Sequence, residues 1–455
     1  FYFSFNCMDC LFITSSKTRA LQFSIYPYLG VGYLSSALKK EGLSSELYDT
    51  DVNGRSLKKF YKKLGENPPL VVAYSIMSIS LGLFYKITLG LRAKYPNLII
   101  VAGGPHVTNH PEIIREMGVD FGFVGHSEES FPKFLKTIKS GESNFDDIEG
   151  LIIPKQNRID KPVFFDVSKT DLSPDYSIYD FSKYQNIFYG RRWFTVITTR
   201  GCHGNCKFCK DPGKNRYKEY PLDLVKSQIK FLVEEKKLKW ISFVDDTFTY
   251  NRKRVIELCE WIISENLKFK WTCCTRADTL DEELIEIMAS AGFHYAILGV
   301  EVGNEEVRRR INKNISNSEY VEKINALKKN NVRVLCSYVL GNPKESYKEI
   351  YETISFSNRL KADYAQYYNL TALPQSPIFK YGVDEKVFGE NIWVKYMKSE
   401  SGLPYYIPEG LSLKRLRRIR LYAFFRYYLR PKKFFDIKFR LLKFFVDVGI
   451  RNKAF

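Results

Sequence analysis

The sequence predicts an α/β protein: a doubly wound parallel sheet, then a partial (β/α)6 barrel, then a helical basic tail. Three observations carry this. The first 140 residues alternate short, almost wholly apolar runs with helix-period segments. A second alternation of the same kind runs from Trp193 to about Phe379. Charge then gathers at the end: Leu411 to Phe455 holds 14 Lys and Arg against two Asp, which is +12 of the chain's net +19. The basic excess is therefore a property of the tail and says little about the body.

In the first region, 1–140, strands are expected at 10–14, 45–48, 70–76, 98–102 and 121–124. Helical patterns lie at 29–40, 81–94, 111–117 and 130–139. Strands apolar on both faces fit a parallel sheet covered on both sides. Ligands of such sheets bind at the carboxyl ends of the strands. The stretch 141–192 breaks the pattern and reads as a linker with a hairpin, its arms near 150–153 and 162–165.

The second region, 193–380, offers strands at 194–198, 240–244, 270–274, 295–300, 333–339 and 363–368. Six strand–helix units are too few for an eight-stranded barrel, so an open six-stranded one is expected. Residues 381–455 form the C-terminal helical basic region. From Leu411 it reads as two amphipathic helices split by Pro431. In the second of these, Phe434, Ile437, Leu441, Phe444 and Val448 share a face. The tail has two readings: packing over the barrel's open end, or peripheral contact with an anionic membrane surface.

Composition excludes several classes. With 455 residues, 45% apolar and 27% charged, the chain is not disordered. No apolar run approaches the roughly 18 residues of a membrane span. Nine cysteines are too few for a disulfide scaffold, and three of them fall within eight residues. That clustering points to a metal site in a reducing, cytoplasmic setting.

The cluster is Arg200-Gly201-Cys202-His203-Gly204-Asn205-Cys206-Lys207-Phe208-Cys209, just after the first barrel strand. Three thiols this close cannot all pair as disulfides. Zinc would want a fourth ligand, and His203 is badly placed beside Cys202. An iron–sulfur cluster on Cys202, Cys206 and Cys209 would leave one iron open to a small molecule, with Phe208 keeping water away.

With this spacing in this place, the region resembles the radical S-adenosylmethionine (SAM) enzyme superfamily. Later segments fit the resemblance: Phe243-Val244-Asp245-Asp246, Thr275-Arg276-Ala277-Asp278, Leu298-Gly299-Val300-Glu301, Ile311-Asn312-Lys313 and Gly341-Asn342-Pro343-Lys344-Glu345. The resemblance implies a [4Fe-4S] cluster that binds SAM and releases a 5′-deoxyadenosyl radical. It implies that Glu301, Lys313 and Arg276 contact SAM; the structural alternative pairs Glu301 with Arg276. Asp245 and Asp246 either meet the cofactor or substrate, or cap the next helix. Cys273 and Cys274 are expected on opposite faces of their strand. The Cys7-x2-Cys10 pair is weak evidence of a metal.

The first region resembles the Rossmann-like cobalamin-binding domain found in front of many such enzymes. Ser75 ends one strand, and Gly103-Gly104 ends the next. The glycines would let backbone approach a bulky ligand, and Ser75 offers a hydroxyl where a nucleotide tail could enter. The loop after the first strand, Thr14 to Ala20, carries no His. Cobalamin would therefore lack a protein His ligand there. His106 and His126 are either corrin-facing or loop residues satisfied by backbone.

The resemblance implies a cobalamin-dependent radical methyltransferase acting on an unactivated carbon of a small or lipid-like substrate. A flavodoxin or ferredoxin would supply electrons. The alternatives are a ring-forming enzyme like the anaerobic porphyrin cyclases and, with less support, a tRNA-modifying enzyme. Nucleic acid is otherwise not an expected partner.

Overall fold

A computed structural model describes residues 8–15, 25–54, 57–65, 68–186, 188–190, 192–209, 216–399 and 402–429. The described residues divide into two compact units. One holds those up to 166, with 170–184 and 390–403; the other holds 167–169, 185–389 and those from 404.

The first unit is built on seven strands: β1 (Cys10–Thr14), β2 (Ser45–Asp49), β3 (Val71–Ser75), β4 (Ile99–Gly103), β5 (Phe121–Phe123), β6 (Leu151–Ile153) and β7 (Arg158–Ile159). Their order is β2-β1-β3-β4-β5-β6-β7. The first five run parallel, while β6 and β7 are antiparallel additions. Helices Leu29–Lys40 and Leu81–Lys94 fall where periodicity places them. The expected helix at 111–117 is two short ones, Pro105–Asn109 and Ile113–Met117.

Two features differ from expectation. The hairpin's second arm is Arg158–Ile159 rather than 162–165. A tight turn over Pro154–Gln156, with Asn157 at φ +56, reverses the chain earlier, and Val163 makes only a single bridge to Gly125. Helix Ile392–Ser399 returns to the first unit instead of joining the tail. Its fully buried Trp393 lies against the His106 ring, and Tyr396 donates to the Ile79 carbonyl at 2.9 Å.

The second unit holds β8 (Trp193–Val196), the short β9 (Thr199–Arg200) and β10 (Lys218–Glu219), β11 (Trp240–Phe243), β12 (Lys270–Thr275), β13 (Phe293–Glu301), β14 (Arg333–Leu340) and β15 (Tyr364–Asn369). Six of them form an all-parallel sheet in the order β15-β14-β13-β12-β11-β8. This is the open six-stranded arrangement that the strand count predicts.

Five of the helices between these strands start on side-chain caps: Asn251, Asp281, Asn304, Ser316 and Ser346 each accept from a first-turn N–H. Alternation divides the strand residues by face. Cys273, Ala296, Val334, Leu298 and Cys336 are fully buried, whereas Cys274, Ile297, Ser337, Val339, Gln366 and Tyr368 keep surface. Cys273 and Cys274 thus take opposite faces, as expected. At the amino-terminal ends, Phe188, Tyr189, Trp193, Trp240, Tyr295 and Tyr364 stack into an aromatic plug. Arg333 lies over the Tyr295 ring and donates to the Tyr295 and Tyr364 hydroxyls at 3.2 Å.

Helix Leu413–Tyr428 packs on β15 through Leu416, Ile419, Ala423, Tyr427 and Tyr428. Tyr428 OH donates to the Ala365 carbonyl and accepts from its N–H. The second tail helix, after Pro431, lies outside the described residues, as does Cys7.

The barrel wall concentrates its packing at Trp271. It is fully buried among Phe243, Phe248 and Phe293, and its indole N–H donates to the Ala291 carbonyl at 2.8 Å. Trp271→Ala should destabilise the second unit by about 3–5 kcal/mol. Trp271→Phe should lose less, about 1–3 kcal/mol, chiefly by leaving the carbonyl unpaired. Denaturant midpoints followed by circular dichroism would check both.

Candidate functional site

The segment from Arg200 to Cys209 leaves β8 and is held from three sides. At its root, Thr198 donates its N–H and hydroxyl, and Thr199 its hydroxyl, to one oxygen of Asp245 at 2.9, 2.8 and 2.7 Å. Asp245 follows β11 and is 1% exposed. The two-residue ladder of β9 with β10 braces the next step. Gly201 sits at φ +82, where a Cβ would meet the Arg216 backbone. On the second side, the Ile311 carbonyl accepts from Lys207 N–H at 3.0 Å, and Asn312 donates to the Asn205 carbonyl at 2.8 Å. On the third, Ile378 N–H reaches the Lys207 carbonyl at 3.2 Å.

Within this frame none of Cys202, Cys206 and Cys209 is in a disulfide. Cys202 Sγ receives the Gly204 N–H at 3.2 Å and lies 3.5 Å from Thr247 Oγ1. Cys206 is buried, and burial pushes its thiol up while Lys313 and Arg276 pull it back. Phe208 wedges against Val302, Val307 and Ile311 on one side and Leu370, Ile378 and Tyr406 on another. His203 stacks on Tyr250, with ring centroids 4.2 Å apart, and lies tilted against Tyr217 at 4.6 Å. Among the described residues no three His, Cys, Asp or Glu side chains converge as a single-ion site.

Two cations flank Cys206, each with its own carboxylate. Lys313 Nζ donates to Glu301 Oε1 at 2.8 Å, both side chains nearly buried. Burial alone would lower the Lys313 pKa, but the Glu301 carboxylate outweighs it and the ammonium is pushed up to about 12. Arg276 grips Asp278 with two nitrogens, at 2.9 and 2.6 Å, and points Nη1 at Cys206 Sγ from 3.9 Å. The alternative pairing of Glu301 with Arg276 is therefore not formed.

Glu301 adopts φ +66, rare for a side chain of its size, where the β13–β14 register slips. The ion pair lies across Gly299, where any Cβ would come within 2.7 Å of Lys313 Nζ and nearer still to Glu301. Of the two readings of Asp245 and Asp246, the helix-capping one is not formed. Asn251 caps helix Arg252–Ser264, and Asp245 serves the loop root instead. Sequence reading gave no role to Thr198, Thr199, Thr247 or Asn312. The hydroxyl pair directly before Arg200-Gly201-Cys202 was the available signal.

In the first unit, Ser75, Gly103 and Gly104 meet at the carboxyl ends of β3 and β4, with Ser75 paired to Gly103. Gly104 has φ +94, and a Cβ there would lie 2.6 Å from Ile76 N and 3.1 Å from Ser75 Oγ. The cradle thus admits only glycine. His106 is buried, with Nδ1 2.9 Å from Ser78 Oγ. His126 sits against Phe164 and Phe165. Both histidines are engaged within the fold. Cys10 is fully buried in β1.

The sequence pattern of the radical SAM superfamily matches residues 196–357, and that of the B12 binding domain matches 23–135. An uncharacterized methyltransferase of Pyrococcus horikoshii is 28% identical, over 96% of each chain. The anaerobic magnesium-protoporphyrin IX monomethyl ester cyclase of Cereibacter sphaeroides is 26% identical, over 90% of this chain and 68% of its own. Among solved structures, the radical SAM methyltransferase TsrM of Kitasatospora setae, with cobalamin and a [4Fe-4S] cluster bound, superposes with TM-score 0.68 at 16% identity. That match covers 83% of this chain and 75% of TsrM. The cobalamin-dependent SAM radical enzyme OxsB gives TM-score 0.64 at 17% identity, over 90% of this chain and 61% of its own.

Desolvation is the largest influence on Asp245 and raises its pKa to about 6 against three hydrogen bonds that lower it. Proton binding therefore favours the folded state. Asp245 should add stability as pH falls from about 7 towards 4, by up to about 3 kcal/mol for a shift of about two units. Asp245→Asn should flatten that slope. Denaturant midpoints of both proteins across this range would check it.

Proposed function

This chain is a radical SAM enzyme with an N-terminal B12-binding domain, and from that premise we propose that it methylates an unactivated carbon of a small or lipid-like molecule. The observation that carries the reading is the loop of Cys202, Cys206 and Cys209, with Lys313 and Arg276 facing Cys206. When bound, the cluster, SAM and cobalamin supply a 5′-deoxyadenosyl radical and a transferable methyl group, the chemistry that no side chain can provide.

The chain's own residues bind and orient. Cys202, Cys206 and Cys209 would ligate three irons, and the Gly204 N–H on Cys202 Sγ steadies one thiolate. Glu301 would receive the SAM ammonium and Lys313 its carboxylate. Arg276 lends positive charge beside Cys206, favouring the thiolate that iron requires. Phe208 keeps water from this side of the loop. Ser75, Gly103 and Gly104 would admit the nucleotide tail of cobalamin. A one-electron donor of the flavodoxin or ferredoxin class would supply the reducing equivalent.

A second reading, radical ring formation, is favoured by the cyclase relatives, whose likeness spans most of this chain. The two readings separate by the fate of the SAM methyl group. Anaerobically reconstituted protein should hold about four irons and about one cobalt per chain. Given methyl-labelled SAM and a strong reductant, a methyltransferase should release S-adenosylhomocysteine and pass the label to the corrinoid. A cyclase should form 5′-deoxyadenosine only. Iron without cobalt would overturn the proposal.

Two variants assign the parts. Cys206→Ala should abolish 5′-deoxyadenosine formation and lower the iron content. Gly299→Ala should keep the iron but weaken SAM binding about tenfold or more, because its Cβ displaces the Glu301–Lys313 pair. Iron assay and equilibrium dialysis with SAM would check these.

A further inference from the structure

Helix Leu413–Tyr428 carries two opposed apolar faces, and packing among the described residues uses only one. Leu416, Ile419, Ala423 and Tyr427 lie against the barrel side. At 3.6 residues per turn, Leu421, Phe425 and Leu429 form a ridge on the opposite side. These three are 52%, 53% and 64% exposed, with Tyr422 and Phe424 also exposed beside them. Five large apolar side chains open to solvent within nine residues are more than scattered surface hydrophobes.

The charge of the same helix selects what covers this ridge. Lys414, Arg415, Arg417, Arg418, Arg420 and Arg426 lie on it, and no Asp or Glu does. Arg415 is spent on the Tyr347 ring at 3.7 Å, and Arg426 on Tyr422 OH at 2.6 Å. Lys414 and Arg418 are exposed among the ridge residues by helical spacing, while Arg417 lies over the Tyr405 ring at 5.9 Å. The remaining 26 residues, 430–455, hold eight Lys and Arg against two Asp and so carry charge of the same sign. A second copy would bring the same six cations.

We infer that the outward face of this helix is a docking surface for an anionic membrane. Leu421, Phe425 and Leu429 would enter the acyl boundary while Lys414 and Arg418 meet lipid phosphates. No helix among the described residues is long and apolar enough to cross a membrane. The docking is independent of which reaction the enzyme performs.

Vesicle flotation of the intact, cofactor-loaded enzyme tests this. Binding is expected to phosphatidylcholine vesicles containing about 30% phosphatidylglycerol, and to weaken sharply in high salt. Pure phosphatidylcholine should bind weakly. Leu421→Ser with Phe425→Ser should lower binding roughly tenfold or more, as should Lys414→Gln with Arg418→Gln. Iron and cobalt contents should stay unchanged, which separates a lost surface from a lost fold. Three outcomes would overturn the inference. One is no flotation with anionic vesicles. Another is a lipid-free dimer that the Leu421/Phe425 variant dissolves. The third is salt-sensitive binding to tRNA that ignores that variant.

Discussion

The candidate site hangs on one buried carboxylate. Asp245 takes three hydrogen bonds on a single oxygen, all from the two threonines that open the cysteine loop. A carboxylate this deep pays a large desolvation penalty. That penalty is partly offset by one backbone N–H and two hydroxyls that donate to it where β8 gives way to the loop. The bond set joins β8 to the end of β11, fixing where the loop leaves the sheet. Gly201, the β9–β10 ladder and the Ile311–Asn312 segment then leave the loop little freedom. Three thiols within one short loop become a defined set only because both its root and its middle are tied.

The plug at the opposite end of the barrel is the counterpart of this arrangement. Phe188 and Tyr189, ahead of the first barrel strand, fill the amino-terminal mouth together with Trp240, Tyr295 and Tyr364. Arg333 is accommodated there by ring faces and two hydroxyls instead of a carboxylate. Chemistry is thereby confined to the carboxyl ends, where loops vary without disturbing the wall.

Much of this was legible in the sequence, for physical reasons that differ by element. Helices Leu29–Lys40 and Leu81–Lys94 were readable from their helical apolar period, and central strands such as β1 and β3 from runs that two covered faces keep apolar. Cys202, Cys206 and Cys209 were readable because their chemistry needs a fixed local spacing. The return of helix Ile392–Ser399 to the first unit was not readable. It rests on long-range contacts, such as Tyr396 with Ile79, that no local pattern encodes. Asp245 illustrates the same limit. Sequence marks it as a chemical residue at a strand end, but only the fold reveals that it ties the loop root. Glu301 is a third case, since the φ of +66 that directs its side chain across Gly299 follows from a register slip between β13 and β14.

That slip carries a consequence for SAM recognition on the proposed reading. A buried ion pair such as Glu301–Lys313 is costly to break by removing one partner, on the order of 3–5 kcal/mol, since the other charge is left unpaired. An amino acid end carrying both an ammonium and a carboxylate avoids that cost. Its ammonium replaces Lys313 at Glu301, and its carboxylate replaces Glu301 at Lys313. Each buried charge exchanges one partner for another, and none is stranded. A ligand with only one of the two groups would leave a charge unmet, so the pair selects for the zwitterion as a whole. Gly299 completes the device, because only a residue without a side chain leaves room for the two charges to face each other across the strand.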